Sequence, residues 1–215
     1  MQESTDRIDR CTCCLSRIYA VDICGRPNCT KQCPFPKLSI PELEDDNAKL
    51  QKQKGFFLET RGDGVLNIRQ ACSVESLALH NPNLIVYVLF TGGKINFSAA
   101  TVQTLKEKYE NIRMLEVNLD DYMAGTPLEH WYHCTDWRNG SYHVSHLSDG
   151  LRFLTLAKFG GYYFDLDMIL VRPLTDYRNF VSMESGDSMS SAALHADYGH
   201  PFMQMATEEF PRNYE

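Results

Sequence analysis

The run LIVYVLF, residues 84–90, is seven apolar residues without a polar break, bounded by Pro82 and Gly92. A strand with no polar face has both faces covered, which is the condition of a central strand in a parallel sheet. Parallel neighbours require crossover connections, and the flanking sequence supplies them. GFFLET reads as a first strand opening a globular region near Gly55. LNIRQACSVESLALH then carries Ile68, Ala71, Cys72, Leu77 and Leu79 at helical spacing until NPN stops it. Beyond the run, Ser98 is placed to cap a helix over AATVQTLKEKYE, and IRMLEV supplies a third strand. Strand and helix alternate, so the fold class is α/β with a Rossmann-like central sheet.

The longest helical pattern is HVSHLSDGLRFLTLAKFGG, residues 143–161, with Leu147, Leu151, Leu154 and Ala157 or Lys158 at spacings of three and four and a glycine pair as its C-terminal cap. Asp149 and Arg152 stand three apart beside that stripe, close enough to pair. GGYYFDLDMILVR follows and reads as a buried strand, yet it carries Asp165 and Asp167. An uncompensated carboxylate is too costly to bury, so a cation is expected to meet them. In an extended backbone the i, i+2 spacing sends both carboxylates to one side. Two convergent oxygens suit a hard cation such as Mn²⁺, or alternatively Mg²⁺, which completes its shell with water and a substrate's phosphates. His143 and His146 precede the apolar stripe and read as capping or surface groups, while Met183, Met189, Met203 and Met205 read as core filler.

The formal net charge is −7 with 43% hydrophobic residues, which fits a domain that buries a core and excludes a basic nucleic-acid or anionic-lipid surface. Six of the eight cysteines fall within the first 33 residues. Their spacing matches no zinc signature, so disulfides are the preferred reading and a zinc knot the alternative. PFPKLSIPELEDDNAKLQKQK, residues 34–54, is rich in proline and charge and reads as a linker or stem. Residues 1–54 and 55–215 are therefore expected to be separate regions. Sequons at Asn28, Asn96 and Asn139 suit a secretory lumen. No apolar run of the roughly 18 residues that a membrane span needs is present.

The stretch SDGLRFLTLAKFGGYYFDLDMI resembles the DXD region of glycosyltransferases with a GT-A-type fold. Together with GFFLET, ACSVESLAL and TPLEHWY, in that order and spacing, it is similar to the α-1,4-galactosyltransferase and α-1,4-N-acetylglucosaminyltransferase family over about Gly55 to Tyr214. That resemblance implies a retaining glycosyltransferase of the Golgi, membrane-associated, which uses a UDP-sugar and Mn²⁺ and forms an α-1,4 linkage on a glycolipid or glycan acceptor. It further implies that Asp167 binds the metal and Asp165 the metal or ribose. Asp149 and Arg152 would hold the donor sugar and pyrophosphate, and Glu59 and Thr60 would lie near the uridine. Galactose, N-acetylgalactosamine and N-acetylglucosamine all remain open as the sugar.

The sequence departs from the family pattern in three places. The membrane anchor is replaced by the cysteine-rich start. Ser190 and Ser191 stand where the family has an Asn-Gly pair, and the chain ends at FPRNYE, before the segment that closes the site in the family. A catalytic domain incomplete at its C-terminus is therefore expected. Two alternatives stay open: a truncated or metal-stapled non-catalytic binding protein, and a haloacid dehalogenase-like phosphatase whose aspartyl nucleophile would come from DLDMI.

Overall fold

The computed structural model describes residues 53–174 and 177–214. The expected cysteine-rich segment, nearly all of the linker and the Asn28 sequon lie outside the described residues. The first strand, β1 (Lys54–Glu59), leads through α1 (Ile68–His80) to β2 (Ile85–Phe90). Then come α2 (Ala100–Lys108), β3 (Ile112–Glu116) and two short helices, α3 (Leu119–Met123) and α4 (Glu129–Cys134). A 3-10 turn at Trp137–Asn139 precedes α5 (His143–Phe159) and β4 (Gly161–Phe164). A hairpin of β5 (Phe180–Ser185) and β6 (Ser188–Ala196) and the helix α6 (Pro201–Arg212) follow.

One six-stranded sheet runs in the order β3-β2-β1-β4-β6-β5. β3, β2, β1 and β4 are parallel, and β6 and β5 are antiparallel additions. The apolar run folds as expected, because alternate residues enter different cores. Tyr87 and Leu89 join Phe56, Leu58, Leu151 and Trp131 on one face, while Val86, Val88 and Phe90 join Phe57, Val74 and Leu77 on the other. Each such side chain contributes about 1.5–3 kcal/mol by leaving water. On the first face, Trp131 and Trp137 stack at 4.9 Å, and Glu129 accepts the Gly125 N–H at 2.8 Å, so the TPLEHWY motif serves packing.

The order of strands matters for function. β1 pairs with β2 on one side and with β4 on the other, so the chain reverses its direction of sheet growth at β1. The carboxyl ends of β1 and β4 therefore open into a crevice, the usual binding position of an open α/β sheet.

Four local expectations need correction. In α1 the buried residues are Ser73, Val74, Leu77 and Ala78, while Ile68, Leu79 and Cys72 are exposed. The apolar stripe is displaced because Ser73 turns inward, its hydroxyl donating to the Met168 carbonyl at 2.5 Å. Ser98 does not cap α2: that helix begins after Ala99 without a side-chain cap, and the Ser98 N–H instead donates to Asn96 Oδ1. Of the four methionines only Met203 is core, since Met183, Met189 and Met205 are all more than half exposed. Finally, the strand expected over residues 160–172 stops at Phe164. A turn closed by Met168 N–H donating to the Asp165 carbonyl takes over, so the two aspartates lie at a strand end and not within a strand.

Candidate functional site

The site begins with α5. Leu147, Leu151 and Leu154 seat the helix on the sheet, and Gly160 and Gly161 (φ 62° and 102°) reverse the chain into β4. A side chain on Gly161 would meet the Lys54 carbonyl at 2.5 Å, so glycine is required for β4 to reach β1. The result places the inner face of α5 directly over the end of β4.

Arg152 projects from that face with a side chain only 7% exposed, and all three of its guanidinium nitrogens meet protein acceptors. Nε donates to the Ser148 carbonyl at 3.3 Å, and Nη1 donates to the Ser191 carbonyl and hydroxyl at 2.9 and 2.7 Å. Nη2 lies 2.8 Å from Asp149 Oδ1 and 3.1 Å from Asp165 Oδ1. The cation expected for the aspartates is thus present for one of them, and the Asp149–Arg152 pair predicted from helical spacing forms. Burial pushes the Asp165 carboxyl above the ordinary carboxylate range, and the Arg152 guanidinium opposes that shift.

Tyr163 completes the arrangement from below. Its ring lies under the guanidinium, 4.9 Å from centroid to Cζ, and its hydroxyl donates to Asp165 Oδ1 at 2.6 Å. Asp167, two residues on, is exposed and has no hydrogen-bond or ion-pair partner among the described residues. Asp149 and Asp165 share the Arg152 guanidinium, which leaves Asp167 as the aspartate of the DLD stretch with no ion-pair partner among the described residues.

Glu59, Thr60, Arg152, Asp165 and Asp167 line one cleft of about 390 Å³ at the β1/β4 crevice, while Asp149 borders it through Arg152. Glu59 is 2% exposed, and its carboxylate accepts the backbone N–H groups of Arg61 and Gly62 at 2.9 and 3.3 Å. Burial raises its carboxyl above the usual range despite those bonds. Thr60 Oγ1 donates to the Val144 carbonyl at 3.3 Å and ties β1 to the start of α5. His143 and His146 bond the Gly140 carbonyl and the Tyr214 hydroxyl respectively through Nδ1.

Sequence reasoning missed several members of this site. Arg61, Arg69 and Asn67 line the cleft from the loop after β1 and the start of α1. Arg61 lies 3.4 Å from Asp63, whereas Arg69 has no partner among the described residues. Ser148 was recoverable, being four residues before Arg152 on the same helix face. Ser191, noted in the sequence only as a departure from the family's Asn-Gly pair, comes from β6 across the sheet, and no local pattern signals its bond to Arg152.

No group of three or more His, Cys, Asp or Glu among the described residues forms a closed metal cage. The donor chemistry still fits a hard cation that keeps water and substrate oxygens, because such ions are held by one or two carboxylates and not by an all-protein cage. Asp167 offers an uncommitted carboxylate, and Asp165 offers its second oxygen. Neither is a soft ligand that would select zinc or copper.

Comparison with known proteins agrees with this reading of the fold. Residues 68–185 match the family described as a glycosyltransferase sugar-binding region containing the DXD motif, a span that includes Asp149, Arg152, Asp165 and Asp167. Human lactosylceramide 4-alpha-galactosyltransferase is 32% identical over 74% of this chain and 46% of its own length. The mouse protein of the same name is 30% identical over 85% and 49%. Human alpha-1,4-N-acetylglucosaminyltransferase is 27% identical over 85% of this chain and 55% of its own. The chain thus spans about half the length of the curated relatives it matches. Among solved structures, the PaToxG glycosyltransferase superimposes with a TM-score of 0.56 at 15% identity, covering 81% of this chain and 66% of that one. The fold is accordingly the expected GT-A-type α/β fold. The phosphatase alternative gives way to this match, and the chain belongs to the DXD-containing glycosyltransferase sugar-binding family.

Proposed function

We propose that this chain forms the donor side of a retaining glycosyltransferase that moves a hexose or N-acetylhexosamine from a UDP-sugar to a glycosphingolipid or glycan acceptor in α-1,4 linkage. The observation that carries the reading is the placement of Asp165 and Asp167 at the end of β4, in the crevice beside β1, with Arg152 compensating one carboxylate and the other left open. An acidic protein needs such a device to hold an anionic diphosphate. The names of its relatives support galactose or N-acetylglucosamine as the transferred sugar and a lactosylceramide-type acceptor.

Asp167, and Asp165 through its second oxygen, would hold Mn²⁺ or Mg²⁺. When bound, such a cation supplies positive charge to the departing diphosphate. The remaining work falls to the chain's own residues. Arg152 holds Asp149 and Asp165 apart and oriented, so Asp149 presents a fixed carboxylate to a sugar hydroxyl. Contact between Arg152 and the pyrophosphate would require one of its present bonds to open. Arg69 needs no such release, which makes it the readier partner for phosphate oxygens. Glu59 and Thr60 would border the uridine at the end of β1. The family resemblance supports a Golgi and membrane-associated setting. No helix among the described residues is long and apolar enough to cross a membrane.

UDP binding measured calorimetrically with and without Mn²⁺, followed by hydrolysis of UDP-galactose, UDP-N-acetylgalactosamine and UDP-N-acetylglucosamine, tests the reading. Mn²⁺-dependent UDP binding with preference for one sugar is expected. UDP binding that ignores the metal, or no binding, would overturn it.

A further inference from the structure

We propose that Tyr163 is a positioning residue of the cation site, holding Asp165 so that one carboxylate oxygen is engaged inside the protein and the other remains available to a divalent cation. The inference rests on the donor-side reading above and adds a residue that neither the DXD spacing nor the charged groups pointed to.

The geometry is specific about oxygens. The Tyr163 hydroxyl at 2.6 Å and Arg152 Nη2 at 3.1 Å both reach the same atom, Asp165 Oδ1. No hydrogen bond or ion pair among the described residues reaches Oδ2. The phenol itself has no freedom to do otherwise. Tyr163 is 1% exposed, its ring lies in the core face shared with Leu151 and Leu154, and the only other hydrogen-bond partner of its hydroxyl among the described residues is the Ser148 hydroxyl at 3.2 Å.

Chemistry explains why this matters. A planar guanidinium prefers to grip a carboxylate with two parallel bonds, which would engage both oxygens of Asp165. Donation from Tyr163 occupies Oδ1 from the strand side and holds the carboxylate in the one-oxygen arrangement. Without the hydroxyl, Oδ1 keeps only its contact with Arg152, so the carboxylate turns more freely, Arg152 can close on both oxygens by releasing a bond to Ser148 or Ser191, and Oδ2 is no longer held toward the cleft. A cation there would keep Asp167 as its sole firm protein ligand. Partners of metal ligands commonly set affinity in this way, by about 10–100-fold.

The decisive variant is Tyr163→Phe, which keeps the ring, its packing and its place under Arg152 and removes only the hydroxyl. Mn²⁺ affinity would be read by electron paramagnetic resonance of free Mn²⁺ in the presence of UDP, for the parent, Tyr163→Phe, Asp165→Asn and the double variant. Tyr163→Phe should weaken Mn²⁺ binding about 10–100-fold, with the near-UV circular dichroism unchanged. In the Asp165→Asn background it should weaken Mn²⁺ binding no further, because the hydroxyl acts only through that carboxylate. Parent-like Mn²⁺ affinity in Tyr163→Phe overturns the inference, and so does an equal loss in both backgrounds. A Tyr163→Phe chain that loses its near-UV spectrum also overturns it, since the hydroxyl is then a requirement of the fold. A parent with no Mn²⁺-dependent UDP binding overturns the donor-side reading together with this one, whereas a binding parent with a silent Tyr163→Phe overturns this inference alone.

Discussion

The two halves of the sheet are built on different principles. In the parallel half, β1 and β2 are buried along their whole length and their side chains divide between two cores. In the antiparallel half, β5 lies at the sheet edge. The opposed pair Met183 and Met189 is 70% and 76% exposed, and the β5–β6 register slips at two places. The first half is held by apolar burial along its strands, whereas in the second such burial is confined to the end of β6 at Ala193, Leu194 and Ala196 and is supplemented by polar contacts such as Ser182 with Ser190 and Asn179 with Asp197. The candidate site lies on the seam, taking Glu59 from β1, Asp165 from the end of β4 and Ser191 from β6. A rigid half thus supplies the position of the site, and a looser half supplies the bonds that finish it.

The largest effect that could break this contrast is a core truncation. Phe57 is fully buried, with its ring 6.3 Å from that of Phe164, and Phe57→Ala should cost about 3–5 kcal/mol through lost burial and the cavity left behind. Met183→Ala should stay within about 0.5 kcal/mol. Urea unfolding of both variants measures the difference. Comparable losses would mean that the hairpin is as firmly packed as the parallel strands.

Next in size is Asp167→Ala. The side chain has no protein partner among the described residues, so stability should be unchanged, while the rate of donor hydrolysis should fall roughly 10²- to 10³-fold if a preorganised electrostatic group is lost. Destabilisation with unchanged catalysis would reassign Asp167 to the fold. Arg152→Ala should show the reverse emphasis. Removing the guanidinium strands Asp149 and Asp165 and leaves Ser191 without its cross-sheet partner. Because both carboxylates keep about a third of their surface in water, the loss should fall below the 3–5 kcal/mol of a fully buried pair, at about 2–3 kcal/mol. Thermal melting should show it, and a melting temperature equal to the parent's would mean that the seam is not held by Arg152.

The same contrast explains what was legible in the sequence. LIVYVLF and the α5 stripe are periodic and local, so strand, helix and parallel topology could be read directly. Asp149 and Arg152 share a helix turn, and their pairing followed from spacing. The α1 stripe was misplaced because the burial of Ser73 depends on a carbonyl 95 residues away, and helical periodicity carries no record of that. Asp165 and Asp167 were placed within a strand because apolar residues follow them, yet Met168 and Leu170 are held by Ser73 and Ser76 of α1 in a turn and loop. Tyr163 was hidden by its own neighbourhood. In a run of aromatic residues, a tyrosine whose hydroxyl has work at a site looks the same as one that fills a core.

The smallest expected effects are opposite responses to pH in the two halves. Burial in the parallel half raises the Glu59 carboxyl, so the folded chain holds its proton more tightly than the unfolded chain does. The contribution of Glu59 to stability is therefore complete below the ordinary carboxylate value of 4.5 and is lost as pH rises through the raised one. In the antiparallel half, His195 is 3% exposed and its Nδ1 accepts the Asn179 N–H, which fixes a neutral ring. Burial holds it below the ordinary value of 6.5, helped by Arg178 and His200 and opposed by Asp197, so here the unfolded chain binds the proton more readily. That contribution is complete above 6.5 and is lost as pH falls through the lowered value. Melting temperatures measured from pH 4 to pH 8 should show Glu59→Gln flattening the decline on the acid side, and His195→Gln flattening the rise toward neutral pH. If His195→Gln left the neutral-side slope intact, the hairpin's attachment at Asn179 would not depend on a neutral imidazole, and the polar account of that half would lose its clearest contact.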